Sequence, residues 1–223
     1  MEHAVAAFTA AGVEQMVVVP LLLFAAGHAK RDIPAALKPD APAKASGSIS
    51  SLALQASIAD PLGCEPEIME LSHQRFDAAI TGRLQISPKE TCLLLIGRGS
   101  SDESATAAMH DFARLRRAME GGGMPTEVAF LAKARPSLAD QLPRIAAQGF
   151  RRVIVQPHFL FAGELAASVE RQVATATAEF PQTEWLLAPL LADLPSVNGS
   201  GTELLAKVIY ERYRRAVIGS FPA

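Results

Sequence analysis

Apolar positions along the chain switch between two rhythms. Short continuous apolar runs fall at 16–20, 49–54, 91–96, 127–132, 152–156 and 184–188. Runs of this length, rich in Val, Ile and Leu, read as strands buried on both faces. Between them, 2–11, 28–37, 66–83, 102–120, 137–148, 163–180 and 201–217 carry helical spacing; in 66–83 it is Ile68, Leu71, Arg75, Phe76, Ala79 and Ile80 that recur by turns. Local signals mark the ends. Gly121-Gly122-Gly123 stops one helix, and Ser137 caps another that Gly149 terminates. The stretch 39–48 (PDAPAKASGS) reads as a loop, and Pro61-Leu62-Gly63 as a break. Short strands alternating with helices predict an α/β fold, with parallel sheets flanked by helices. Such sheets bind ligands beyond the carboxyl ends of their strands.

One segment occurs twice. Gly12-Val13-Glu14-Gln15-Met16-Val17-Val18-Val19-Pro20 is echoed by Gly149-Phe150-Arg151-Arg152-Val153-Ile154-Val155-Gln156-Pro157. Both continue through an apolar turn to a glycine, Gly27 and Gly163, followed by His28 and Glu164. The echo predicts a duplicated α/β unit, residues 1–88 and 89–223. The two copies are unequal. Gly97 precedes Pro157 by 60 residues, and the same offset from Pro20 falls 40 positions ahead of Met1. The first unit is therefore expected to lack its opening strand–helix–strand portion. Its two strands would leave a sheet edge and an apolar face uncovered. That edge would pair with another copy or a partner chain, or the natural start would lie further upstream.

Composition narrows the function classes. The 223 residues are 49% hydrophobic, 20% charged and 6% aromatic, with a net charge of −2. Neither a basic nucleic-acid footprint nor a polybasic membrane anchor is present, and aromatics are too few for a base-stacking platform. The apolar run 17–26 lacks a positive flank and is too short to span a bilayer. Cys64 and Cys92 form no metal-type spacing and read as buried thiols, which suits a reducing cytoplasm.

Three strand ends carry polar groups: Gly27-His28, Gly97-Arg98-Gly99-Ser100-Ser101-Asp102, and Pro157-His158 through Gly163-Glu164. The second lacks the Lys-Ser/Thr of a phosphate loop and the third glycine of a dinucleotide fingerprint. It has two readings of equal weight. It is an anion site, with Arg98 beside a helix N-terminus, or a tight turn with an ordinary cap, Ser101 or Asp102. His28 opens a helix after an apolar turn, where an imidazole can bind a divalent transition metal or exchange a proton near neutrality. His73 and His110 lie inside helical patterns and read as surface residues.

Val17-Val18-Val19-Pro20-Leu21-Leu22-Leu23, Gly27-His28 and Asp32-Ile33-Pro34 together resemble the sirohydrochlorin cobaltochelatase family. Leu94 through Asp102 and Gln156 through Gly163 resemble the second-unit signature of its longer members. The resemblance implies tandem class II chelatase-like units, the first incomplete. It also implies ATP-independent insertion of Co2+ into a sirohydrochlorin-type tetrapyrrole for cobalamin biosynthesis, by a cytoplasmic lyase. The metal is a substrate, and no cofactor is bound permanently. His28 is expected as base and metal ligand, and Arg98, Ser100, Ser101, His158 and Glu164 as substrate-binding residues. Members resemble one another in a further histidine, within a Gly-His-Gly-Ser turn. This chain has none; Arg98 stands at the equivalent place in the second unit, and Glu164 where His28 has its counterpart. A degenerate, non-catalytic relative that binds a tetrapyrrole or a partner is the first alternative, and a ferrochelatase for siroheme the second. An unrelated flavodoxin-like or nucleotide-binding module is disfavoured by the duplication and the missing phosphate-loop lysine.

Overall fold

The computed structural model describes residues 2–37, 54–193 and 200–220. Among them the chain runs α1 (Glu2–Ala10), β1 (Gln15–Val18), α2 (Gly27–Ala36), β2 (Gln55–Ile58), α3 (Pro66–Ile80), β3 (Thr91–Gly97), α4 (Glu103–Met119), β4 (Thr126–Phe130), α5 (Leu138–Ala146), β5 (Arg152–Pro157), α6 (Glu164–Glu179), β6 (Glu184–Leu187) and α7 (Ser200–Ser220). β1 and β2 form one parallel pair, and the other four strands a parallel sheet in the order β4-β3-β5-β6. This is the α/β architecture the alternation predicts.

The four-stranded sheet is covered on both faces, which is why its strands are apolar at successive positions. Leu93, Leu95, Val128, Phe130, Ile154 and Leu186 face Ile68, Leu71 and Phe76 of α3 and Met109 and Phe112 of α4. The alternate residues, Cys92, Leu94, Ile96, Ala129, Val153, Val155 and Trp185, face α5 and α6. α3 follows the first strand pair in sequence yet packs on β5, β6 and α4, while α7 packs on α3, β1 and β2. The two pieces of sheet thus exchange their closing helices.

The repeat is visible bond by bond. Gln55 and Ala59 N–H donate to the carbonyls of Glu14 and Val18; Glu184 and Ala188 N–H donate to those of Arg151 and Val155, the aligned positions. Leu62 N–H to Leu22 O is matched by Leu191 N–H to Phe159 O. Arg75 on α3 donates from Nη2 to the Leu191 carbonyl at 3.0 Å. Arg212 on α7 donates to the equivalent Leu62 carbonyl at 3.2 Å.

β1 pairs with β2 alone among the described residues, and its surroundings differ accordingly from those of β5. Phe8 of α1 is 45% exposed, whereas its repeat partner Ile145 is fully buried. The strand paired with β1 is 55–58, directly after the strand expected at 49–54. Gln55-Ala56-Ser57-Ile58 is less apolar than the run before it, but it is the segment in register with Gln15–Val18. Residues 49–53, and the loop expected at 39–48, lie outside the described residues.

Candidate functional site

The turn after β3 is shaped by Gly99. Its φ of +82° is open to glycine, and a Cβ there would collide with the Ala132 carbonyl. Ala132 N–H in turn donates to the Arg98 carbonyl at 3.0 Å, closing the turn on the β4–α5 loop. Ser100 Oγ accepts from the Asp102 N–H at 3.0 Å. Asp102 is the N-cap of α4: Oδ1 accepts from the N–H of Ser104 at 3.0 Å and from its hydroxyl at 2.7 Å. Hydrogen bonds from Ser104 and Lys30 pull the Asp102 carboxyl down to about 2. Of the two readings this turn allowed, the structure shows the cap: the helix N-terminus already holds an anion, the chain's own. Arg98 and Ser101 remain exposed beside it, and the Arg98 guanidinium has no hydrogen bond or ion pair among the described residues.

His28 is the second residue of α2, in the first turn beyond the carboxyl end of β1. This turn approaches the start of α4 closely. Lys30 Nζ lies 2.9 Å from Asp102 Oδ2 and donates to Ser104 Oγ at 2.7 Å. On the other side of His28, the Phe24 ring stacks on His158, with centroids 5.2 Å apart and planes at 29°. The α2 turn that carries His28 is thus linked to the start of α4 through Lys30, and the segment before it to His158 through Phe24.

His158 has a different place from the one expected. It is 4% exposed, with Phe24 on one side and Phe112 at 4.1 Å on the other. Neither ring nitrogen has a hydrogen-bond partner among the described residues. Burial pushes its pKa down to about 3, so it is a neutral packing group, not a surface contact for substrate. Its side of β5 faces the helices, like that of Ile154 two turns of the pleat earlier. Glu164 is exposed at the start of α6 and paired with Arg171 at 2.7 Å. His110 is exposed and meets Phe130 edge-on. His73, expected at the surface, is part-buried and bonded through Nδ1 to Glu120 at 2.9 Å.

A buried polar group escaped the sequence reading. Arg116, with no exposed surface, donates from Nε to Ser72 Oγ at 3.0 Å and from Nη1 to Glu120 at 2.9 Å. Gln156 Nε2 donates to the Ser72 carbonyl at 2.8 Å and to its hydroxyl at 3.0 Å. The available signal was Gln156, a lone amide at the end of an apolar strand. No group of three or more His, Cys, Asp or Glu among the described residues could hold a metal ion. Two surface clefts, of about 700 and 310 Å3, lie along α5 and α6, the first lined by Arg135, Pro136, Asp140 and Arg144. Among the described residues no helix is long and apolar enough to cross a membrane.

The chain is similar over 179 residues, at 26% identity, to the sirohydrochlorin cobaltochelatase of Priestia megaterium, covering 80% of this chain and 56% of that one. It is equally similar, over 173 residues, to the sirohydrochlorin ferrochelatase of Bacillus subtilis (strain 168), covering 76% of this chain and 60% of that one. The chain thus spans less than two thirds of the length of these curated relatives. SirB from Bacillus subtilis with Fe3+ has the same fold, with a TM-score of 0.75 at 23% identity over 98% of this chain and 78% of that chain. The CbiX family model matches residues 1–79 and 92–216, through both copies of the repeat. The chain belongs to the CbiX family.

Proposed function

We propose that this chain is a sirohydrochlorin chelatase that inserts a divalent metal into the tetrapyrrole without ATP. The observation that carries the reading is the family match through both units, with relatives named for insertion of cobalt and of iron. The position of His28 supports it, in the helix turn beyond the carboxyl end of β1 and beside the Gly97–Asp102 turn. Metal entry displaces two pyrrolic protons from the ring. A neutral imidazole is the side chain suited to take one of them near neutrality, the other passing to water, and the same nitrogen can hold the incoming ion before the ring does. Arg98 and Ser101, exposed at the next strand end, suit the substrate's carboxylates. Ser100 contributes through its bond to the Asp102 N–H, shaping the turn. Glu164, expected among the substrate-binding residues, is paired with Arg171 at the start of α6.

We assign Co2+ as the metal, in cobalamin biosynthesis, with Fe2+ for siroheme as the alternative. The test is to mix protein, sirohydrochlorin and Co2+, Fe2+ or Ni2+, and follow the ring's absorption bands. The expected result is insertion faster than the uncatalysed rate, fastest with Co2+ and abolished in His28→Ala. Equal rates with and without protein for every metal would overturn the reading. A second reading has one observation in its favour: His28 stands without the Gly-His-Gly-Ser histidine that the family resemblance implies. A non-catalytic relative that binds a tetrapyrrole would bind sirohydrochlorin tightly and leave its absorption metal-free, whereas a chain whose first unit is completed by a second copy or a partner would insert the metal once so completed.

A further inference from the structure

We propose that Phe24 and Lys30 are positioning residues that together fix the first turn of α2, and hence His28, against the second unit. The proposal rests on the reading of His28 as the proton acceptor. Left to itself this turn is weakly held. Its N-cap, Ala26, makes no side-chain bond, Pro34 interrupts the helix interior, and Lys30, Arg31, Asp32 and Ala35 are exposed. A group that must meet a metal and a pyrrole nitrogen cannot sit on a wandering turn, since misplacement by about 1 Å can cost roughly a hundredfold in rate.

Two contacts of different chemistry bracket it. Four residues before His28, Phe24 lies against His158 and, edge-on, Phe112 at 6.4 Å. Two residues after it, Lys30 is bound by Asp102 and Ser104. The second contact is one the α4 N-terminus would oppose unaided, because the helix dipole repels a cation there. Asp102 reverses that sign by placing a carboxylate between the helix and the ammonium. The buried, unpartnered imidazole of His158 has a matching explanation: it is a flat, neutral surface for Phe24, supplied by the second unit where a catalytic counterpart of His28 is absent.

The experiment compares Lys30→Met, Lys30→Arg and Phe24→Ala with the wild-type chain by hydrogen–deuterium exchange and by metal-insertion kinetics. Asp102 is left intact, because it also caps α4. Lys30→Met and Phe24→Ala are expected to speed amide exchange of α2 by about tenfold or more, with β3 and β5 unchanged. They are expected to lower kcat by roughly tenfold with little change in KM for sirohydrochlorin, and Lys30→Arg to restore both. Unchanged α2 exchange in Lys30→Met would overturn the proposal. So would a raised KM at constant kcat, which would make Lys30 a contact for the substrate's carboxylates. If the wild-type chain inserts no metal, the functional reading falls, while the exchange measurement still decides whether the two residues anchor the turn.

Discussion

Single residues in this molecule are tuned by distant neighbours, and two make that testable. Gly99 holds a left-handed conformation against the Ala132 carbonyl. Gly99→Ala is expected to cost more than about 1 kcal/mol, since both the backbone angle and the contact are incompatible with a methyl group; urea unfolding measures it. His158 bears on pH. Its imidazole titrates near 6.5 when unfolded and at about 3 when folded. Between those values the unfolded chain binds a proton that the folded chain refuses, so stability is full above about pH 6.5 and falls as the pH drops towards 3. The loss from pH 7.5 to pH 5 should be about 2 kcal/mol. His158→Phe should remove that share of the acid sensitivity, and an unchanged slope would show that the imidazole is not buried neutral. The glycine turn was legible because turn chemistry is local. The burial of His158 was not, because it depends on Phe24 and Phe112, which only the tertiary fold brings to it.

At the level of elements, the exchanged helices are secured by arginines rather than by apolar contact alone. The Arg75 guanidinium is buried, which lowers its pKa, and meets the Leu191 carbonyl with both Nε and Nη2. Arg75→Met keeps the length of the side chain and leaves that carbonyl without its donors, at a cost of about 1–3 kcal/mol. Thermal unfolding should show it, and a variant as stable as the wild type would make the contact incidental. Arg75 stood in the helical pattern of 66–83 as one more residue on the apolar face. Its aliphatic stem packs there, but the pattern does not say that the head caps a turn more than a hundred residues away. The order of strands and helices was readable from local spacing, and the cap was narrowed to Ser101 or Asp102, between which only the folded turn decides. The strand at 55–58 was missed because Gln55-Ala56-Ser57-Ile58 carries a weak apolar signal. Its pairing is decided by register with β1, and its exposure by the absence of a covering layer on that side among the described residues.

Over the whole molecule, the repeat and the packing divide the chain in different places. The repeat in the sequence predicts that the second unit begins at residue 89. By packing, its sheet is closed by α3, which lies before that point, packs on β5 and β6, and contributes the buried Ile68, Leu71 and Phe76 to the core on that face. Each such side chain contributes about 1.5–3 kcal/mol on burial. Together they are on the order of 5 kcal/mol, comparable with the net stability of a domain. A fragment of residues 89–223 should therefore keep helical content but expose that face, bind a hydrophobic dye and unfold without a cooperative transition. Adding residues 1–88 in trans should restore cooperativity, because α3 returns to the sheet and α7 regains β1 and β2. A fragment 89–223 that melts cooperatively at the temperature of the full chain would show instead that α3 is dispensable to the second core. Linked cores also bear on the site. His28 stands on the first unit, whereas Asp102, Ser104, Phe112 and His158, which surround its helix turn, stand on the second. The exchange of α3 and α7 keeps these two sets of residues in one relation, so on the proposed function loss of cooperativity in the fragments should be accompanied by loss of metal insertion.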